Sequence, residues 1–247
     1  MKRNGLRMPE RREVTTRPFY DAFMLDLVSR AVVWHDLSEG SGNTLHDRSE
    51  NGHDATLVGP NWGPGKLGPE IVMDGNNDYA SSSIFTVPDL TKQTIVFVVK
   101  NSLYSHGGYA QVFMSLGFSL LSGSESVYRL DNSNHLGIQY SNGTIAWEQV
   151  PCWNMFNGFD DTDLFVTITI DYEAPYDIKF YRNLEGIISS SNLSTPVNII
   201  GDRQILIGDN GVGSGFNLKG GMSFLALIPE ILTAPEISLL YHHLMGV

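Results

Sequence analysis

The chain has a single cysteine, Cys152, in 247 residues, which excludes an internal disulfide framework and any zinc site built on cysteines. Cys152 lies beside Trp153 and near Met155, with no histidine placed to activate it, so it reads as a small buried hydrophobe. No apolar run approaches the length needed to cross a bilayer. The charged first residues are not followed by the apolar stretch of a signal peptide, so the sequence predicts neither membrane insertion nor classical export. The sequons at Asn142 and Asn192 therefore carry little weight as glycosylation sites. No segment repeats with the period of a solenoid or propeller.

The motifs of several catalytic classes are absent too. A strand carrying E-x-D-x-x-E, which sets the acid and nucleophile of a glycoside hydrolase on one cleft, does not occur; the nearest acidic groupings are Glu70 with Asp74 and Asp160 with Asp161 and Asp163. There is no G-x-S-x-G elbow. The segment 59–67, GPNWGPGKL, fails as a phosphate loop because Pro60 stands where its first glycine belongs and Leu67 replaces the Ser or Thr that would hold magnesium. The histidines are scattered except for His242 and His243, which as helical neighbours point apart and cannot chelate one ion. These absences lead to the expectation of a non-catalytic protein.

What is present is glycine, 25 residues, aromatic side chains at 11%, and a hydrophobic content of 42%, spread over short apolar runs at fairly even spacing. That texture predicts one all-β sandwich with a single large core. The clearest stretch is 31–83, where the runs Val32 to Leu37, His53 to Val58, Glu70 to Asp74 and Asp78 to Ser81 are separated by turns of Gly, Asn, Asp, Ser and Pro. Later strands are expected at Thr94 to Lys100, continuous and buried on both faces, and at Leu164 to Tyr172, which alternates with period two. Asp177 to Arg182 follows as its hairpin partner, and the last long strand spans 220–227. Thr233 and Glu236 form a capping box ahead of a closing helix, with Pro235 in its first turn and Ile237, Leu240, Tyr241 and Leu244 along one face.

Three spaced groups in the opening stretch carry a resemblance: Asp47-Arg48-Ser49-Glu50-Asn51-Gly52, then Trp62 with Gly65-Lys66-Leu67-Gly68, then Met73-Asp74-Gly75-Asn76-Asn77-Asp78-Tyr79. The pattern resembles laminin-G-like domains of the concanavalin A-like lectin and glucanase superfamily. The resemblance implies a jelly-roll sandwich of two antiparallel sheets over 31–247, closed by a short C-terminal helix. Glu50 and Ala55 stand where the family often has glycine, and Val98-Val99 stand where it often has tryptophan.

Ahead of this domain, residues 1–17 carry six basic and two acidic side chains, a charge of +4 against −15 for the remainder. The acidic body is expected to be repelled by nucleic acid and anionic membranes. The arm, with Lys2, Arg3, Arg7, Arg11, Arg12 and Arg17, either engages an acidic partner or is a solvated terminus. Phe19, Phe23 and Leu27 then recur at helical spacing beside Tyr20 and Met24, which predicts a short helix begun at Pro18. It is too apolar to stay in water. It covers an edge of the sandwich or, as the preferred reading, docks residues 1–30 onto another protein.

Two stretches are candidate binding sites. Trp147 and Trp153, with Phe156, Phe159, Asp160, Asp161 and Asp163, combine rings with acidic groups in a way that suits sugars or a protein partner, core packing being the alternative for the rings. Asp74, Asn76, Asn77 and Asp78 offer oxygen ligands to calcium, although Asx-rich hairpin turns are more often only turns. No other cofactor is implied. By analogy with the accessory head and tail proteins of tailed phages, the arrangement points to a virion surface protein anchored by its arm to virion or scaffold proteins. Otherwise it would be cytoplasmic, and the alternative function is a lectin-like carbohydrate-binding module.

Overall fold

Two eight-stranded sheets face one another, and two helices lie against the back of one of them. The computed structural model describes residues 18–101, 111–117, 124–129, 135–141, 148–152, 155–156, 162–173, 177–187, 201–209, 211 and 217–246. In chain order its elements begin with α1 (Pro18–Arg30), β1 (Val33–His35), β2 (Thr44–Leu45), β3 (Ala55–Val58), β4 (Asn61–Gly65), β5 (Gly68–Asp74), β6 (Tyr79–Ser82), β7 (Phe85–Val87), β8 (Lys92–Asn101) and β9 (Gln111–Leu116). They continue with β10 (Ser124–Arg129), β11 (Leu136–Ser141), β12 (Glu148–Cys152), β13 (Asp163–Asp171), β14 (Asp177–Arg182), β15 (Glu185–Ile187), β16 (Gly201–Arg203), β17 (Ile205–Ile207), β18 (Lys219–Ile228) and α2 (Ala234–Met245). Sheet A runs β15-β14-β13-β8-β18-β5-β4, with β1 also on β18. Sheet B runs β12-β11-β10-β9-β17-β6-β3-β2, and β7 pairs separately with β16. The pairings are antiparallel, and the fold is the jelly-roll sandwich expected.

Sheet A is the middle layer. Along β8, Ile95, Phe97 and Val99 belong to the core shared with sheet B, where the Phe97 ring lies 5.2 Å from that of Phe113. Val96 and Val98 belong to a second cluster with Trp34, Phe165, Phe224 and Ala226, closed over by Leu27, Ile237, Leu240 and Met245. This is why β8 reads as a continuous apolar run. On β13 the strand is as expected, but its alternation does not mark a solvated face: Leu164 through Ile170 are all buried, and Thr167 and Thr169 occupy outward positions beneath the second layer. Cys152 is fully buried, which pushes its thiol up to about 11, far from a reactive thiolate.

The helices follow their sequence signals, with one correction. Thr233 and Glu236 form the capping box, and Gly246 closes α2 at φ 68°. On α1, Leu27 is fully buried in the second cluster with Phe23, Met24 and Val28 packed beside it, so Phe23 and Leu27 cover the chain's own sheet and are not a docking surface. The cause is the apolar outer face of β8, β13 and β18, which α2 alone does not close. Arg30 fastens the end of α1 through ion pairs to Asp26, Glu230 and Glu236. Phe19 and Tyr20 lie in the first turn of α1, and Lys2, Arg3, Arg7, Arg11, Arg12 and Arg17 lie outside the described residues. No described helix is long and apolar enough to cross a membrane.

The Asp47 to Gly52 group is a hydrogen-bond hub. Asp47 Oδ1 accepts from the backbone N–H of Trp34 and of Ser49, both at 2.9 Å, while Oδ2 accepts from Ser49 Oγ at 2.8 Å and His53 N–H at 3.0 Å. Asn51 Nδ2 donates to the carbonyls of Ala31 and Val32. Glu50 adopts φ 68°, the left-handed region that glycine enters without strain.

A second tie crosses between the sheets. Glu125 on β10 is 1% exposed, and its Oε2 accepts from Gln93 Nε2 on β8 and from Tyr172 Oη after β13, each at 2.6 Å. Burial raises the Glu125 carboxyl to about 7 against an ordinary 4.5, the two hydrogen bonds pulling the other way. The folded state therefore holds this proton more tightly than the unfolded one. Its contribution is fully present below about pH 4.5 and is lost as pH rises to about 7, a swing of about 3 kcal/mol. Glu125→Gln cannot titrate, so its stability relative to the parent should rise across that window in denaturant titrations; parallel pH profiles would contradict the assignment.

Candidate ligand-binding cleft

The outer face of sheet A does not end where the helix-covered cluster ends. Beyond Val98, Phe165 and Phe224 the strands continue, and their register sets Asp163, Lys100, Gly221, Val72 and Asn61 in one row across β13, β8, β18, β5 and β4. Side chains two residues apart share a face, so Glu70 joins Val72 on this side. A cavity of about 250 Å³ opens there, lined by Glu70, Val72, Lys100, Lys219, Gly220 and Gly221.

Glycine makes the cleft. A Cβ at Gly221 would lie 2.5 Å from the Glu70 carboxylate, one at Gly65 2.9 Å from it, and one at Gly63 2.8 Å from Val72. Segment 59–67 thus contributes β4, a strand whose glycines at alternate positions leave room for the side chains of β5. Glu70 is 5% exposed, and its hydrogen bond from Ser223 Oγ is a long one of 3.5 Å. Burial, reinforced by the neighbouring Asp163 carboxylate, raises the Glu70 carboxyl above its ordinary value; Lys100 and Ser223 act in the opposite direction. Among the described residues Lys100 makes no ion pair, and Asp163 Oδ1 is buried without a hydrogen-bond partner. A carboxylate with one long hydrogen bond and a lysine therefore line one opening, with a second carboxylate in register beside the lysine.

A larger recess of about 420 Å³ lies between Arg30, Asn51, His53 and Pro88, where these three polar side chains have structural roles. Arg30 is in its ion pairs, Asn51 holds the carbonyls of Ala31 and Val32, and the His53 ring stacks on Phe85 at 3.7 Å.

Of the expected site residues, the structure sets Asp163 beside Lys100 at the edge of the cleft, near enough to Glu70 for its charge to raise the Glu70 carboxyl, which joins the two acidic groupings that sequence spacing kept apart. Trp147, Trp153, Asp160 and Asp161 lie outside the described residues, as does Phe159. Phe156 is a core residue, 1% exposed, stacked 5.6 Å from Phe113 and under the Arg129 guanidinium. At 74–78, Gly75 takes φ 89°, Asp74 accepts from the N–H and side-chain amide of Asn76, and Asp78 accepts from Asp74 N–H. These carboxylates serve the turn, and Asn76 and Asn77 are exposed. Among the described residues no group of His, Cys, Asp and Glu is arranged to hold a metal. Sequence reasoning missed Glu70 as a site residue and Gly63, Gly65 and Gly221 as its setting; the available signal was glycine at strand spacing beside a lone acid in an apolar run.

No family model and no curated protein sequence matches the chain. Solved structures do. The ligand-binding domain of botulinum neurotoxin serotype D, in complex with N-acetylneuraminic acid, aligns over 90% of this chain and 52% of its own length at 12% identity and TM-score 0.67. The neurotoxin DC binding domain in complex with rat synaptotagmin II aligns over 88% and 52% at 12% identity and TM-score 0.65. Domain 4 of AbnA, an extracellular arabinanase of Geobacillus stearothermophilus, in complex with arabinotriose, aligns over 85% of this chain and 97% of its own at 15% identity and TM-score 0.61. The chain spans about half the length of the neurotoxin domains and nearly all of the arabinanase domain. At these identities the likeness shows a shared fold, the jelly-roll sandwich.

Gly221→Ala should push the Glu70 carboxylate out of its seat at a cost of about 1 kcal/mol and return its titration towards the ordinary carboxylate range. Carboxyl NMR of the two proteins checks this; an unchanged Glu70 titration would show that Gly221 does not hold it.

Proposed function

We propose that the chain is a non-catalytic binding module that takes a glycan in the Glu70, Lys100 and Asp163 cleft. Glu70 carries the reading: a strand position 5% exposed holds a carboxylate with one long hydrogen bond, over glycines that leave it uncovered. Burying a charge so poorly partnered is unfavourable for folding alone, and sugar hydroxyls would supply the missing donors. The arabinotriose bound to the arabinanase domain, which this chain matches across nearly its whole length, supports a glycan. Support for a non-catalytic role comes from the sequence, in which no strand carries the E-x-D-x-x-E pattern that sets the acid and nucleophile of a glycoside hydrolase on one cleft.

Binding of the full chain to a printed glycan panel tests this. Glycan binding that weakens about tenfold in Lys100→Met, with the fold intact by circular dichroism, is the expected result; no binding to any glycan would overturn it.

A second reading is favoured by the charge asymmetry of +4 on residues 1–17 against −15 on the rest. In it the arm anchors the module to an acidic surface of a larger assembly, a virion or its scaffold, with the sandwich facing outward. Cosedimentation with particles from the source should then be lost when residues 1–17 are removed, and retention by the shortened chain would contradict it.

A further inference from the structure

The charges around the cleft bear on which glycans it takes. Glu70 and Asp163 are negative and Lys100 and Lys219 positive, and Asp74, opposite Lys219 in register, adds a third carboxylate at the rim. Their order matters more than their sum. Glu70 lies deepest, against the bare backbone of Gly221, so a group reaching the floor meets a carboxylate first. Lys100 stands on the strand between those of Gly221 and Asp163. An anionic group that approaches its ammonium therefore meets carboxylates on both sides along the row.

Resting on the glycan-binding reading above, we propose that this cleft selects uncharged sugars and excludes sialic acid and uronic acids. A neutral ring offers hydroxyl donors to Glu70 and Asp163 and an oxygen acceptor to Lys100 at the same time, so each charged group gains a partner. A carboxylate-bearing ring loses the first two contacts to repulsion. A cationic amino sugar meets Lys100 in the same row. The glycines 220 and 221 let a ring lie close to the strand backbone, and the cavity of about 250 Å³, smaller than the roughly 300–1,000 Å³ of drug-sized pockets, fits a single ring at the end of a longer chain. The acidic body, −15 outside the arm, adds long-range repulsion of the same sign. In its ligand class the cleft is thus set apart from the neurotoxin domain solved with N-acetylneuraminic acid.

The test uses the full chain and a panel of arabino-, gluco- and galacto-oligosaccharides, arabinotriose and lactose among them, each beside a sialylated or uronic-acid counterpart. Neutral members should bind at least tenfold more tightly than their charged counterparts. Glu70→Gln combined with Asp163→Asn should weaken the neutral sugars about tenfold and narrow the gap to the anionic ones, with thermal unfolding confirming that the variant folds. Anionic glycans that bind as tightly as neutral ones, through a site lost in Lys100→Met, would overturn the charge selection while leaving a glycan-binding cleft. Neutral sugars that bind equally well to the parent, the double variant and Lys100→Met would move the site elsewhere on the module. Silence across the whole panel would remove the glycan reading itself.

Discussion

The structure depends on one constraint: the central strands of sheet A are apolar on both faces. Ile95, Phe97 and Val99 need sheet B, while Val96, Val98, Phe165 and Phe224 need something else, because two eight-stranded sheets have only one interior between them. The helices at the two ends of the described chain answer that need. α2 is held by its capping box and α1 by the ion pairs of Arg30, one of which reaches Glu236 of that box. The layering is thus sheet B, sheet A, helices, and the most buried strands, β8, β13 and β18, are those with two coverings.

The same constraint positions the cleft. Helical cover ends at the row of Val98 and Phe165, and the next outward positions on these strands are Lys100 and Asp163. Polar residues appear where cover stops. Gly221, Gly65 and Gly63 keep the surface low there, so the Glu70 carboxylate can lie flat against the sheet and line the opening. Glu125 is a different kind of buried acid. It has two short hydrogen bonds to one oxygen and faces the interior, which makes it a tie between layers, whereas Glu70 has one long hydrogen bond and lines an opening.

Much of the fold was legible because it is local. The run TIVFVVK, the capping box at Thr233 and the Asx turn at 74–78 each specify their conformation within a few residues, and the Asp47 group is a pattern of side chains bonding to backbone nearby in the fold. The left-handed Glu50 shows that this turn forms without a glycine there. The role of α1 was not legible, since an apolar helix suits its own sheet and a foreign surface equally. Only the exposed apolar face of sheet A decides it. The cleft was hidden for another reason: Glu70 and Asp163 meet through the strand order β13-β8-β18-β5, and that order cannot be read from spacing along the chain.

The central claim is that the uncovered end of sheet A is the working face of this module. Amide chemical-shift mapping of the full chain with arabinotriose tests it most directly. The account predicts shifts concentrated at Lys100, Val72, Gly220 and Gly221, with Asn51 and His53 unmoved. Shifts confined to the Asn51 and His53 recess, or to the outer strands of sheet B, with Gly220 and Gly221 unmoved, would contradict it.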